Sequence, residues 1–358
     1  MESVRIAYFV QVGLDSVPLL PRLFERIHHP ENVYVVHVDA KVDPATRSRI
    51  ADLVEADERY VKNMHVMESE MVTYKAISMV TNTLSAMTMA LEKSSNWHYF
   101  INLSGADYPL LSVERQMSLL ARPHVPIGRL NFVTFFPSKE WKPYQFRIRN
   151  MHWDPAAVGY QSEKSRLRLI RSLRENPLER HRAFVFTKAE AWMILSRPFV
   201  AFVVRSAFAK RMLINHMHVL SVPEHYFADV LYNHSFWRKT IVPDALRKVV
   251  WYLRNKRSGQ HPFALDGGST VMSRWEYIAT TRSLFARKFV KPDSELMDAV
   301  DLRQSGAGLN ASDPRVDDFR KDRQIFHNRI VRHFDMLTKK SLELQGYSAP
   351  RGAFSSSY

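Results

Sequence analysis

The sequence predicts an α/β protein built on a mostly parallel central sheet flanked by helices, with its site at the carboxyl ends of the strands. Three observations carry this expectation. Apolar runs of strand length alternate with longer stretches whose apolar residues recur every three or four positions, the signature of strands joined by crossover helices. The early runs are apolar throughout, as strands covered on both faces must be. Finally, the run Tyr99–Leu103 stops abruptly at Ser104-Gly105-Ala106-Asp107, and Pro109 forbids a simple helical continuation. A strand ending in Ser-Gly-x-Asp suits the carboxyl end of a central strand, where open α/β sheets place their ligands. A buried strand with an ordinary turn explains this stretch equally well, so the rest of the chain must decide.

Taken in order, Arg5–Val12 reads as a first strand and Ser16–Ile27 as a helix, with Val17, Leu19, Leu20, Leu23 and Ile27 on its apolar face. His28-His29-Pro30 ends it. Val33–Asp39 is a second strand, Pro44–Ala56 a helix, and Val61–Met67 a third, more polar strand. Thr73–Lys93 carries a long helical pattern through Ile77, Val80, Leu84, Met87 and Leu91. Residues 137–182 are dense in Lys, Arg and Trp. Within them Lys164–Arg174 is expected to be helical. It is either a basic face presented to an anionic partner or a solvated helix with Leu167, Ile170 and Leu173 as its core stripe. Phe184–Ser196 returns to strand-like sequence, and Ser196 and Pro198 open a helix. Ser221 with Glu224 matches a capping box at the start of another. One large domain is expected over 1–335. A tail follows at 336–358, disordered in its Ser-rich last residues.

Composition narrows the function. With 46% hydrophobic residues among 358, the chain buries a sizeable core, which excludes global disorder. The absence of cysteine rules out disulfides and thiolate sites. A net charge of +15 favours anions: nucleic acid, an acidic membrane face, an acidic polysaccharide or a nucleotide diphosphate. The N-terminal apolar run is too short for a signal peptide or a membrane span, and no later segment spans without charge, so the chain as given is expected to be soluble.

Familiar catalytic signatures are missing. The sequence has no Walker-type loop, no G-x-G-x-x-G, no G-x-S-x-G, no H-E-x-x-H and no Asp-x-Asp pair, and its histidines lack ligand spacing. With 15 histidines a metal site nonetheless remains possible. What remains is a scattered set at element boundaries: Asp39, Tyr74 with Lys75, Asp107, Glu224, and the compact Phe285-Ala-Arg-Lys-Phe289. Singly, each has a plain structural explanation. Glu224 could be a capping residue only, and Arg287-Lys288 a solvated turn.

Together the set resembles the core-2/I-branching glycosyltransferase family, which includes branching β-1,6-N-acetylglucosaminyltransferases, peptide O-xylosyltransferases and plant glucuronosyltransferases. The matching stretches are Val35-Val-His-Val-Asp-Ala-Lys41, Val72-Thr-Tyr-Lys75, Phe100-Ile-Asn-Leu-Ser-Gly-Ala-Asp-Tyr-Pro-Leu110 and Ala191-Trp-Met-Ile-Leu-Ser-Arg197. Pro223-Glu-His-Tyr-Phe227, His261-Pro262 after Trp251, and Phe285-Ala-Arg-Lys-Phe289 complete them in the family's order.

The resemblance implies a GT-A-like fold, with a nucleotide-binding half at 1–125 and an acceptor and catalytic half at 126–335. It also implies an inverting, metal-independent transfer, with no other cofactor, from a UDP-sugar, carrying GlcNAc, xylose or GlcA, to a glycan or peptide hydroxyl. In it Glu224 takes the position of the catalytic base, and Lys288, with Arg287 beside it, that of the diphosphate contact. Asp39 and Val12 lie near the nucleotide, while Tyr74 and Asp107 shape the donor-sugar pocket. Glu140, Lys142, Arg147, Trp251 and Tyr252 are the acceptor-binding candidates. The sequence departs from the family's pattern in several places. No Arg occurs in 264–268, where some animal members carry a second basic contact, so Arg287, Arg282 or His261 would have to compensate. Ala76 and Ala189-Glu190 stand where the family usually has Gly and Gly-Ser, which bears on donor preference. The disulfides and Golgi anchor of animal members are missing, so their compartment is not carried over. The competing readings are a basic polyanion- or nucleic-acid-binding module and a catalytically degenerate relative. An anion groove should avoid carboxylates at its rim, whereas a sugar site needs them.

Overall fold

The computed structural model describes residues 3–136, 144–158, 166–176, 184–253, 256–259, 261–267, 274–305 and 316–345. Its strands are β1 (Ile6–Val12), β2 (Val33–Val38), β3 (Met64–Val66), β4 (Tyr99–Ser104), β5 (Asp107–Pro109), β6 (Asn131–Phe136) and β7 (Asn150–Trp153). They continue with β8 (Arg168–Ser172), β9 (Lys188–Ser196), β10 (Ile241–Val242), β11 (Arg247–Val249), β12 (Tyr252–Leu253), β13 (Lys256–Arg257) and β14 (Phe285–Arg287). Seven of them form the main sheet, in the order β10-β6-β9-β4-β1-β2-β3. Every pairing in it is parallel except those of β9, which runs antiparallel to both β4 and β6. The expected α/β class and mostly parallel sheet are what the chain forms.

The unbroken apolar runs are explained by cover on both faces. Tyr8, Val10, Tyr34 and Val36 point to one side, where Leu23 and Phe24 of the helix Leu20–Ile27 meet them. Phe9, Val35 and Phe100 point to the other, against Val80 and Met87 of the helix Ile77–Lys93 and Phe199 beyond β9. Burying one such side chain contributes roughly 1.5–3 kcal/mol, so register is strongly fixed. Because β1 lies between β2 and β4, the carboxyl ends of all three emerge side by side. A second, three-stranded sheet, β11-β14-β5, is set against that edge.

Several local expectations are corrected. Ser16–Ile27 is not one helix: a 3-10 segment, Leu14–Leu19, holds Pro18, and the α-helix starts only at Leu20. Proline's missing amide breaks the ladder there. Within the basic run, residues 164 and 165 lie outside the described residues and Arg168–Ser172 is a strand, β8, hairpin-paired with β7. Its Leu169 and Ile170 are 58% and 57% exposed, so the expected core stripe does not exist. Ser196 does precede the helix Arg197–Arg205, with proline in its first turn but no side-chain cap bond. The last helix, Val316–Leu344, crosses the boundary expected at 335 and buries Phe326, Ile330, Phe334, Thr338 and Leu342. Among the described residues no helix is long and apolar enough to cross a membrane.

Candidate active site

The site forms where β2, β1 and β4 end. The Asp39 amide donates to the Val12 carbonyl at 2.9 Å, tying the end of β2 to the end of β1. The Asp39 carboxylate accepts from the Lys41 amide (2.9 Å) and pairs with Lys41 Nζ (3.2 Å), which also donates to the Val72 carbonyl (2.7 Å). Gly105 follows β4 and lies against Ser16. A Cβ at 105 would come within 2.8 Å of both Ser16 Cβ and Oγ, so only glycine fits this close approach.

Asp107 is the hub of the next layer. It is 1% exposed, and its Oδ2 accepts from the Ser104 amide at 2.6 Å. Pairing of β14 with β5 sets Arg287 opposite Asp107, with Nη1 3.2 Å from Oδ2. Arg247, on β11, places Nη1 2.6 Å from Oδ1 and donates through Nη2 to the Asn102 carbonyl at 2.9 Å. The two guanidiniums also lie over one indole: Arg247 is 4.8 Å and Arg287 4.4 Å from the Trp192 ring centre. Burial pushes the Arg247 pKa down against the pull of Asp107. Asp107 was expected to open into the cleft beside Asp39. It is instead sealed beneath two arginines, and what it offers the cleft is the fixed, partly exposed Arg287.

Lys288 is pinned by its backbone on both sides. Leu265 donates to its carbonyl (2.7 Å), Phe289 donates to Ala106 (2.9 Å), and the amides of Val290 and Lys291 bond the Asp266 carboxylate. Among the described residues no carboxylate pairs with its ammonium group. His261 stacks on Tyr74, with ring centres 5.2 Å apart. Desolvation lowers the His261 pKa, with Lys288, Lys75 and Arg287 adding to the shift, which favours the neutral imidazole.

Glu224 is another charged neighbour of Tyr74. The capping box expected there does not form. Ser221 takes a left-handed backbone (φ 58°), makes no side-chain cap bond, and leads into a 3-10 turn, Val222–Glu224. A capping serine needs an extended backbone, and the α-helix Tyr226–Asn233 begins only after His225. The Glu224 carboxylate therefore has no capping duty. It meets Arg147 Nη1 at 2.5 Å and Lys188 Nζ at 3.5 Å, and its side chain is 29% exposed. Lys75, also left-handed (φ 68°), accepts from the Val222 amide at 3.3 Å, fastening this turn to the loop bearing Tyr74. Such strained residues gather at functional sites. The Tyr74 hydroxyl joins the halves electrostatically. Burial and then Glu224 raise its pKa, while Arg287 and Arg147 lower it. Asp229, in the first turn of the helix Tyr226–Asn233, is fully buried and bound by Thr187 and His216, so it cannot reach a ligand.

The comparison that decides the family is its sequence model, which matches residues 6–270 under the description Core-2/I-Branching enzyme. The chain belongs to the Core-2/I-Branching enzyme family. It is 31% identical over 312 residues to beta-glucuronosyltransferase GlcAT14A of Arabidopsis thaliana, covering 85% of this chain and 66% of that protein. It is 28% identical over 225 residues to a Danio rerio beta-1,3-galactosyl-O-glycosyl-glycoprotein beta-1,6-N-acetylglucosaminyltransferase 4, covering 63% and 49%. Xylosyltransferase oxt of Drosophila pseudoobscura pseudoobscura is 25% identical over 301 residues, covering 80% and 32%. The chain thus spans about two thirds or less of these relatives' own lengths.

Within this Core-2/I-Branching chain, then, Tyr74 lies within electrostatic reach of Glu224, Arg147 and Arg287. Lys288 acts on the His261 ring stacked against Tyr74, and Val12 and Asp39 are tied together at the ends of β1 and β2. Trp251 and Tyr252 are exposed at the start of the β12–β13 hairpin. Glu140 and Lys142 lie outside the described residues. Arg282 does not replace the missing arginine: it sits before β14, at the end away from Arg287, beside Arg329, Arg332 and His333 of the last helix. Arg287 remains as the guanidinium in place beside Lys288. Sequence reasoning missed Arg247, Lys188 and the site role of Trp192. Only Trp192 had a signal, its place in the Ala191–Arg197 motif. Among the described residues, no group of three or more His, Asp or Glu side chains is placed to hold a metal.

Proposed function

We propose that the chain is a GT-A-type glycosyltransferase that moves a sugar from a UDP-sugar to a glycan or peptide hydroxyl, with inversion and without a metal. One observation carries the reading: a carboxylate, Glu224, and a guanidinium, Arg287, both act on the Tyr74 hydroxyl, and Lys288 acts on the His261 ring stacked against it. An inverting transfer needs those two charges at opposite ends. The acceptor oxygen attacks the anomeric carbon while Glu224 takes its proton, and the bond from that carbon to the UDP oxygen breaks. Negative charge then develops on the departing diphosphate, where Lys288 and Arg287 stabilise it. Asp107, itself paired with Arg247, holds Arg287 in place beforehand, so little reorganisation is required as the charge appears. Val12 and Asp39 border the nucleotide, and Arg147, Trp251 and Tyr252 the acceptor.

The donor sugar is GlcA, GlcNAc or xylose, by analogy with the names of the relatives. Titration calorimetry of UDP and the three UDP-sugars, with EDTA present and again with Mn²⁺, tests the reading. Binding of UDP and of at least one UDP-sugar in EDTA is expected. No UDP binding under either condition overturns it.

A further inference from the structure

β9 is irregular where it passes the cleft. Its register with β6 runs from Val133↔Met193 to Phe135↔Ala189, so β6 advances two residues (133 to 135) while β9 advances four (189 to 193). The displaced residues are Glu190, Ala191 and Trp192. Bulges re-aim side chains and are over-represented beside active sites. Asn102 of β4 fastens this one, donating to the Ala191 carbonyl at 2.7 Å and accepting from the Met193 amide at 2.9 Å. Because the Asn102 carbonyl also holds Arg247, the bulge is tied to the Asp107–Arg247–Arg287 cluster. Trp192 is the indole between those arginines.

Glu190 is the other side chain the bulge re-aims, and the mechanism leaves it unused. Around it stand Lys188 on its own strand, Arg247 on β11, Asp244 before β11, and Glu224 on its 3-10 turn. Burial raises its pKa, Lys188 and Arg247 oppose the rise, and Glu224 and Asp244 add to it. Yet among the described residues its one hydrogen bond is a long one, 3.4 Å from Thr134 Oγ1, and no cation pairs with it. A carboxyl group has room for several hydrogen bonds, and Glu190 is partly exposed, so its remaining acceptor positions are open to a ligand. The two cations that act on it bound an interval, from Arg247, paired with Asp107 on the leaving-group side, to Lys188, which touches Glu224 on the acceptor side. A donor sugar must occupy that interval, since its anomeric carbon is bonded to the diphosphate and attacked from beside Glu224.

We propose that Glu190 is a specificity-determining residue that hydrogen-bonds a hydroxyl of the donor sugar. This rests on the UDP-sugar reading of the site. A site built to bond a hydroxyl rejects ligands lacking it, because its own polar group is left unpaired.

The test is calorimetry in EDTA with UDP, UDP-GlcA, UDP-GlcNAc and UDP-xylose on wild type, Glu190→Ala and Glu190→Gln. Glu190→Ala should lose about tenfold in affinity for the UDP-sugar that binds wild type best, with UDP itself changed by less than about twofold. Glu190→Gln, which keeps the shape and an acceptor oxygen, should recover most of the loss. Should Glu190→Ala misfold, Glu190→Asp, which retracts the carboxyl group by one methylene, takes its place with the same expectations. Equal weakening of UDP and UDP-sugar marks a structural role and overturns the proposal. So does unchanged affinity for every UDP-sugar. A wild-type chain that binds UDP-sugars no differently from UDP overturns the proposal alone, whereas one blind to UDP overturns the underlying reading as well.

Discussion

Arg147 and Glu224 meet at 2.5 Å, although they stand 77 residues apart in the chain. The contact fixes the carboxylate at the cleft before any acceptor arrives, and Lys188 braces the same Oε2 from a second side. An acceptor hydroxyl must therefore approach the remaining oxygen or displace part of this clamp.

Glu224→Gln separates chemistry from structure. With no capping bond to preserve, glutamine keeps the shape and an acceptor oxygen for Arg147, and loses the proton acceptor together with the charge that pairs with Arg147 and Lys188. Folding and UDP affinity should stay near wild type, while transfer falls by at least about a hundredfold, the lower range for general-base catalysis. Steady-state turnover above about a tenth of wild type would reject Glu224 as the base.

Lys288→Ala should weaken UDP binding or slow transfer by about one to two decades, the loss of a charge-assisted contact of roughly 1.5–3 kcal/mol. Transfer by wild type should persist in chelator. A fully active variant, or a strict Mn²⁺ requirement, would assign the diphosphate to another partner.

Asp107→Asn leaves Arg247 buried with its charge uncompensated. Removing one partner from a buried pair costs about 3–5 kcal/mol, so the urea midpoint should drop sharply. UDP affinity should fall as well in the molecules that remain folded, because Arg287 loses its anchor. An unchanged midpoint would mean that the pair is not closed in solution.

His37 predicts an acid limb of stability. It is 1% exposed, accepts from the Glu70 amide at 3.1 Å, and is lowered by desolvation from 6.5 to about 4. The unfolded chain takes up the proton first, so stability is full above about 6.5, falls as the pH drops towards 4, and then levels off. The loss is on the order of 3 kcal/mol at 1.36 kcal/mol per unit. Thermal melts between pH 7 and 4 should show it, and His37→Gln should flatten the slope. An identical slope in the variant would assign the limb to other histidines.

The main sheet was legible because its strands are covered on both faces, which leaves unbroken apolar runs such as Val33–Val38. Asp39, Tyr74, Glu224 and Lys288 were legible because each ends or opens an element within a motif. Arg247 was not. Its partner is 140 positions away, and only the three-stranded sheet β11-β14-β5 brings them together. The basic run was misread because its helical spacing of Leu167, Ile170 and Leu173 was never used: pairing with β7 overrode it. Ser221 matched a capping box by spacing alone, and its left-handed backbone undid the match.

The position of β9 has a consequence for synthesis. It is the strand that joins β4 to β6, yet it is made after both of them. Until residue 196 leaves the ribosome, β4 and β6 each present an unpaired edge bearing Phe100, Ile101, Phe132 and Val133. Open apolar edges of this kind recruit other chains. The nascent protein thus passes through a vulnerable interval that closes when one antiparallel strand slides into place, and fragments ending before residue 188 should aggregate rather than fold.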